Sequence, residues 1–315
     1  MTALTLRVAA KEPLTPLVTR FRFEHPEGAR LPLFSGGAHV VVEMTDGNQL
    51  RRNAYSLISD PNDGSGYEIA VRREDAGRGG SRFMHGRVAA GDLIRVGAPV
   101  NLFSLDLRAR KHLMIAGGIG VTPFLAQIRQ LDRLGQPYEL RYAARSRAEA
   151  AGLRLLPRSP RVHVHISDEG GRMDLGGLLA GQPLGTHVYT CGPEGLIAAV
   201  EETAARLRWP RAALHSEAFL APPPGRPFTV RLARSGITIE VGPHESLLEA
   251  IEAAGVDAPW LCRGGACGQC ETAVLSCRGE IEHHDHWLDA GDRASRTKIM
   301  PCVSRFAGEE LILDR

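Results

Sequence analysis

The chain has 315 residues, 43% of them hydrophobic, with 38 Lys and Arg against 36 Asp and Glu and a formal net charge of +2. That length allows two or three ordinary domains, and the composition is that of a soluble globular protein. The charge balance gives no case for nucleic acid or an anionic membrane surface. No apolar run approaches the roughly 18 residues a membrane span needs. The N-terminus Met1-Thr-Ala-Leu-Thr-Leu-Arg7 lacks a basic segment followed by an apolar one. A soluble, cytoplasmic protein is expected.

In chain order, the first hundred residues show short β-like runs separated by turn residues: 4–9, 18–23, 39–43, 54–58, 67–71 and 92–96. This spacing predicts an antiparallel barrel or sandwich. From about Lys111 the pattern changes. Strands are predicted over 112–116, 139–144, 162–167 and 187–190, with helices over 123–134 and 193–207. Alternating strands and helices predict a parallel sheet. Leu220-Ala-Pro-Pro-Pro-Gly-Arg-Pro227 reads as a linker, because a triple proline suits neither a helix nor a central strand. Beyond it, 229–232 and 237–241 predict a hairpin, 246–254 a short helix and 272–275 a strand. The domains expected are therefore 1–108, 109–221 and 227–315.

Six cysteines stand at 191, 262, 267, 270, 277 and 302, four of them between 262 and 277. In a cytosolic chain such crowding points to metal or redox chemistry, not to disulfides. Cys262-Arg-Gly-Gly-Ala-Cys267-Gly-Gln-Cys270 has the Cys-x4-Cys-x2-Cys spacing of plant-type [2Fe–2S] ferredoxins, whose fourth thiolate comes from far downstream. Glycines 264, 265 and 268 let the backbone wrap tightly there. The fourth ligand is one of Cys302, Cys277 and Cys191, and Cys302, just before a β-like run to the C-terminus, is preferred. A zinc site is the competing account, but zinc knuckles usually pair two short hooks and no second hook is present. His283, His284 and His286 read as a solvated turn.

Ile115-Ala-Gly-Gly-Ile-Gly-Val-Thr-Pro-Phe124 reads as a strand, a glycine turn and a helix start at Thr122-Pro123, with Thr122 as the cap. A free helix N-terminus offers N–H groups to a pyrophosphate. Alone this signals only a tight turn. A second strand end at Cys191-Gly192-Pro193 adds a crevice of the kind where nucleotides bind. Arg51-Arg-Asn-Ala-Tyr55-Ser56-Leu57 and Gly77-Arg-Gly-Gly-Ser81 are each bland in isolation, a barrel strand and a flexible tip.

Together and in this order, these motifs resemble the phthalate dioxygenase reductase family over nearly the whole chain. The resemblance is carried by Gly77–Ser81, Gly117–Pro123, Cys191-Gly-Pro193, Phe228-Thr-Val-Arg-Leu232, the cysteine loop and Cys302-Val-Ser-Arg305. It implies a multidomain fold: an antiparallel β-barrel flavin domain, a parallel-sheet α/β nucleotide domain and a β-grasp-like ferredoxin domain. It also implies FMN, NADH and a [2Fe–2S] cluster. Carried over by position, Arg52 and the Gly79-Gly80-Ser81 turn hold the FMN phosphate, and Tyr55 and Ser56 flank the flavin. Gly118, Gly120, Thr122, Cys191, Gly192 and Pro193 serve the nicotinamide nucleotide, and Cys262, Cys267, Cys270 and Cys302 hold the cluster. Arg52 departs from the family pattern, because Ala54 moves it to three residues before the tyrosine, and on a strand one residue changes the face.

The implied activity is an NADH-dependent flavin and iron–sulfur electron-transfer reductase. It serves a Rieske-type oxygenase as a monomer, and no side chain is assigned a proton-transfer role. The alternatives are a reductase for a cytochrome P450 and, in a different class, a redox-sensing iron–sulfur module. Arg145 and Arg147 follow the 139–144 strand and raise NADPH as a rival to NADH.

Overall fold

The computed structural model describes residues 3–47, 49–219 and 224–315. Residues 220–223, the first half of the expected linker, lie outside the described residues. The chain groups into two compact units. One comprises Met1–Val42, Tyr55–Arg73 and His85–Phe219, and the other Glu43–Ala54, Glu74–Met84 and Leu220–Arg315.

The first sheet contains β1 (Ala3–Thr15), β2 (Val18–Glu24), β3 (Ala38–Asp46), β4 (Gln49–Ser56), β5 (Tyr67–Arg72), β6 (Leu93–Gly97) and the two-residue β7 (Val100–Asn101), with a short helix α1 (Gly80–Gly86) between β5 and β6. Its order is β4-β3-β6-β1-β2-β5. A bridge between Leu57, just after β4, and Ile69 on β5 joins the two ends, so the sheet closes as a barrel. Alternation explains β2, where Phe21 and Phe23 are fully buried while Arg20 and Arg22 between and beside them are not. The strand predicted over 54–58 starts earlier, at Gln49, and β1 runs on through Pro13 to Thr15. The expected Gly79–Ser81 turn is only partly a turn, because Gly80 and Ser81 already belong to α1.

The second sheet is parallel, in the order β10-β9-β8-β11-β12. Its strands are β8 (Lys111–Gly117), β9 (Tyr138–Ala144), β10 (Val162–Ile166), β11 (Thr186–Cys191) and β12 (Leu214–Glu217). Its connections carry α2 (Thr122–Leu134), the short α3 (Gly152–Leu155), α4 (Ser167–Gly170) and α5 (Leu175–Ala180), and then α6 (Glu194–Arg206). β8 is buried from His112 to Gly117, as a central parallel strand covered on both faces must be. α2 ends on Gly135 in the left-handed region at φ 63°, whose amide returns to the last-turn carbonyls. Ser167 opens α4 instead of closing the preceding strand.

The third sheet lies wholly in the second unit, in the order β14-β13-β17-β15-β16. Its strands are β13 (Phe228–Leu232), β14 (Ile237–Val241), β15 (Thr272–Glu282), β16 (Lys298–Ile299) and β17 (Arg305–Leu313), with helices α7 (Leu247–Ala253) and α8 (Ala290–Ser295). β13 pairs antiparallel with β14 and parallel with β17. The core of this sheet is Val230, Leu232, Val241, Leu248, Ile251, Phe306, Leu311 and Leu313. α7 starts with a capping box: Ser246 accepts from the Glu249 amide, and Glu249 accepts from the Ser246 amide. Among the described residues no helix is long and apolar enough to cross a membrane.

Candidate functional site

The cysteine loop runs from α7 to β15. Its Cys262 and Cys270, and Cys302 on a turn far downstream, are 2–8% exposed, and Cys267 in the loop is half-buried. Gly265, at φ 71°, carries no side chain because a Cβ there would sit 2.8 Å from Val303. That close approach seats the loop against the turn holding Cys302, and Cys302 Sγ stands 3.2 Å from Cys270 Sγ. The same turn is fixed from the other side, where the Leu248 amide in the first turn of α7 donates to Pro301 O at 2.9 Å. Cys267 pairs with Cys262. The hydrogen bond from the Cys267 thiol, aided by backbone amides of 264, 266 and 267, holds the Cys262 thiol below its ordinary value against the opposing effect of burial. The Gly264 amide reaches Cys262 Sγ at 3.3 Å.

The sulfurs thus meet in two pairs, Cys262 with Cys267 and Cys270 with Cys302. Two tetrahedral irons supplied by four cysteines take two sulfurs each, so this arrangement fits a two-iron cluster. A single tetrahedral zinc would instead take all four ligands round one point. Cys277 stands apart on β15 opposite Leu311, its thiol 3.7 Å from Gly279 O. Cys191 ends β11 in the first unit, fully buried, and burial pushes its thiol well above the ordinary range.

In the parallel sheet the chain leaves β8 for β9 and β10 on one side and returns to β11 and β12 on the other. The reversal falls between β8 and β11, the place where ligands bind in open α/β sheets. Both strands end there in glycine turns. A Cβ on Gly120 would sit 2.6 Å from Gly192 N, and one on Gly117 would sit 2.8 Å from Pro193 Cδ. The structure therefore brings Gly117 and Gly120 against Cys191, Gly192 and Pro193, with Gly118 next in the turn and clear of them; main chain of the second turn demands glycine at 120, and the Pro193 ring with Leu196 demands it at 117. Gly118–Val121 forms a 3-10 turn with Gly118 at φ 55°, and α2 then starts at Thr122. Thr122 is not the cap. Val121 holds that position without a side-chain bond, and Thr122, buried, donates Oγ1 to Ile119 O at 2.9 Å. Beyond β9, Arg147 makes a bidentate pair with Glu169 at 2.7 and 2.9 Å, and Arg145 lies 4.0 Å from Asp168.

On β4 residues 51, 53 and 55 share one face and 52, 54 and 56 the other. Arg51 Nε donates to Arg78 O at 2.9 Å. A Cβ on Gly79, which has φ 105°, would lie 3.5 Å from Arg51 Nε, and one on Gly80 would lie 2.5 Å from Asn53 Nδ2. The Glu74 amide donates to Ser81 Oγ at 2.9 Å. The Gly79–Ser81 turn is thus lined by Arg51 and Asn53. Arg52 is elsewhere, with its guanidinium donating to Glu43 Oε1 at 3.0 Å and to Glu252 Oε2 at 2.8 Å. The expectation that Arg52 joins that turn does not match this placement, and the cause is the one-residue offset on a strand. Arg51 and Asn53 are readable from that same alternation. Tyr55 is half-buried and Ser56 buried at the end of β4.

Three family profiles match the chain: an oxidoreductase FAD-binding domain over 5–105, a dimethylamine monooxygenase subunit DmmA-like N-terminal domain over 98–214, and a 2Fe-2S iron-sulfur cluster binding domain over 230–307. A relative from Ectopseudomonas mendocina (strain ymp), the heme-dependent oxidative N-demethylase beta subunit, is 49% identical over 99% of both chains. The solved structure of phthalate dioxygenase reductase, described as modular for electron transfer from pyridine nucleotides to [2Fe-2S], superposes with a TM-score of 0.90 at 36% identity, covering 99% of this chain and 98% of that one. An intact type IV self-sufficient cytochrome P450 monooxygenase matches at 38% identity with a TM-score of 0.72, covering 99% of this chain and 41% of the longer one.

Proposed function

This chain belongs to the phthalate dioxygenase reductase-like family of flavin- and [2Fe–2S]-dependent electron-transfer reductases, and on that premise we propose that it carries electrons from NADH, through FMN, to a cluster held by Cys262, Cys267, Cys270 and Cys302, and on to a terminal oxygenase. The observation that carries the reading is the pairing of the four sulfurs, together with two glycine-lined strand ends at the switch point of the parallel sheet. When bound, the flavin supplies the conversion between the two electrons of a hydride donor and the single electrons a cluster accepts. The protein's own part is to bind, orient and enclose.

Beside the packed turns after β8 and β11, Gly118, where a Cβ would meet nothing within 4 Å, leaves main chain open to a dinucleotide, and the N-terminus of α2 offers positive dipole to its phosphates. The pairing of Arg147 with Glu169, and the closeness of Arg145 to Asp168, favour NADH. These arginines are already engaged with carboxylates, and a carboxylate repels the 2′-phosphate of NADPH. The FMN phosphate is assigned to the Gly79–Ser81 turn with Arg51 and Asn53 in place of Arg52. Tyr55 and Ser56 flank the flavin ring. The domains proposed remain 1–108, 109–221 and 227–315, and the molecule acts as a cytoplasmic monomer.

The terminal acceptor proposed is the Rieske-type component of an oxygenase or demethylase. A haem oxygenase is the second reading. The relative at 49% identity is named heme-dependent, and the whole of this chain matches a segment of a P450 monooxygenase. The test is to release and identify the flavin of the purified protein, then compare NADH with NADPH. FMN and a preference for NADH are expected, and FAD or a preference for NADPH would overturn those assignments. Transfer to a Rieske protein and to a haem protein, measured separately, distinguishes the two acceptors.

A further inference from the structure

The charged residues of the β3–β4 tip have partners that no role above uses. Segments 43–54 and 74–84 belong to the same compact unit as the cysteine loop. Within it, Arg52 bonds Glu43 at 3.0 Å and Glu252 at 2.8 Å, and the other oxygen of Glu252 accepts from Arg263. One turn earlier on α7, Glu249 accepts from Arg78 at 2.7 Å. These six side chains are only 5–19% exposed. Charges alternate along the chain Glu43, Arg52, Glu252, Arg263. Arg263 is the residue after Cys262, has φ 51°, and lays its guanidinium 3.9 Å from the centre of the Trp260 ring.

Largely buried ion pairs add little net stability over apolar residues of the same shape, and their best-attested use is to fix one geometry among several. Here one end of the chain of pairs is the strand beside the Gly79–Ser81 turn, and the other is the backbone of the cysteine loop. We infer that Arg52, Glu252 and Arg263, with Arg78–Glu249 alongside, are positioning residues. They form a clasp that sets where the cysteine loop stands relative to the phosphate turn, and so how fast electrons pass to the cluster. This rests on the functional reading given above. The overall balance is unchanged: each NADH yields two electrons, NAD+ and a proton, and two one-electron acceptors are reduced.

The test uses the holoprotein carrying Glu252→Gln, with flavin and iron content matched to the unmodified protein. Reduction of cytochrome c is compared with that of ferricyanide, whose independence of the cluster is calibrated on a Cys302→Ser protein. The cytochrome c to ferricyanide ratio is expected to fall about fivefold or more, because small misplacements are costly in rate. Hydrogen–deuterium exchange is expected to quicken in 49–54 and 247–253 but not in 112–144. An unchanged ratio overturns the clasp, as does an equal fall with both acceptors or unchanged exchange. If the unmodified protein reduces neither acceptor with either nicotinamide, the functional reading fails, and the exchange arm still decides the clasp. If Glu252→Gln loses its cluster, Arg78→Gln replaces it. That variant loosens only the second pair, is expected to move ratio and exchange in the same direction, and overturns the clasp if neither moves.

Discussion

Arg52 shows how much a single residue of register matters. By motif position it sits nearest the arginine that the resemblance assigns to phosphate, yet its guanidinium lies between two carboxylates, while Arg51 and Asn53 line the turn. The sequence held the clue in Ala54, because an added residue on a strand turns every earlier side chain over. The pairing of Cys302 with Cys270 needed less inference. Cys277 sits mid-strand, where alternation in a paired ladder leaves no freedom to reach a loop. A different residue makes the fold sensitive to acid. His39 on β3 is 5% exposed, its Nε2 has no hydrogen-bond partner, and burial lowers its pKa to about 4. The unfolded chain binds the proton near 6.5, so between those values the unfolded state holds more protons and stability falls as pH falls. With 1.36 kcal/mol per pKa unit, the loss between pH 7.5 and pH 5 is about 2 kcal/mol. Urea midpoints at the two pH values measure it, and His39→Leu is expected to flatten the difference. An equally steep dependence in His39→Leu would assign the acid sensitivity to other groups.

At the scale of elements, long helices and apolar strands were more legible than short helices, and β15, expected over 272–275, runs on to Glu282. β8 is a continuous apolar run and β13–β14 an alternating hairpin, and both fall within a residue of their expected bounds. The short helices were hidden by glycine. α1 begins inside a Gly-Gly-Ser sequence that reads as a tip, and α5 carries Gly176 and Gly177 in its first turn. Asp174, which accepts from the Gly177 amide at 3.0 Å, caps α5 and makes it possible. The glycines after β8 were found for one reason and are needed for another. They read as a phosphate loop, but Gly117 and Gly120 are required because the turn after β11 packs directly on them. Gly120→Ala is therefore expected to displace both turns at once, since its Cβ meets main chain that cannot rotate away. Overpacking of this kind costs roughly 1–3 kcal/mol. The urea midpoint should fall accordingly, and the KM for NADH should rise more than kcat changes. A normal KM would show that the two turns do not jointly shape the nucleotide site.

At the scale of the molecule, three sheets with different rules serve three tasks. A closed antiparallel barrel offers one strand face and a turn. An open parallel sheet offers the ends of two adjacent strands. A small mixed sheet carries a loop whose glycines permit four sulfurs to gather. What the sequence could not show is the grouping of the hairpin tip with the C-terminal residues, because ion pairs between positions some 170–200 apart leave no periodic trace. Electrons entering from a nicotinamide are expected to leave through the cluster. The most direct test is NADH-driven reduction of cytochrome c by the unmodified protein and by Cys302→Ser at equal flavin content. Two cytochromes reduced per NADH are expected of the first, and of the second a fall to the level of the flavin alone with ferricyanide reduction retained. Cytochrome c reduction at the unmodified rate in Cys302→Ser would contradict this route.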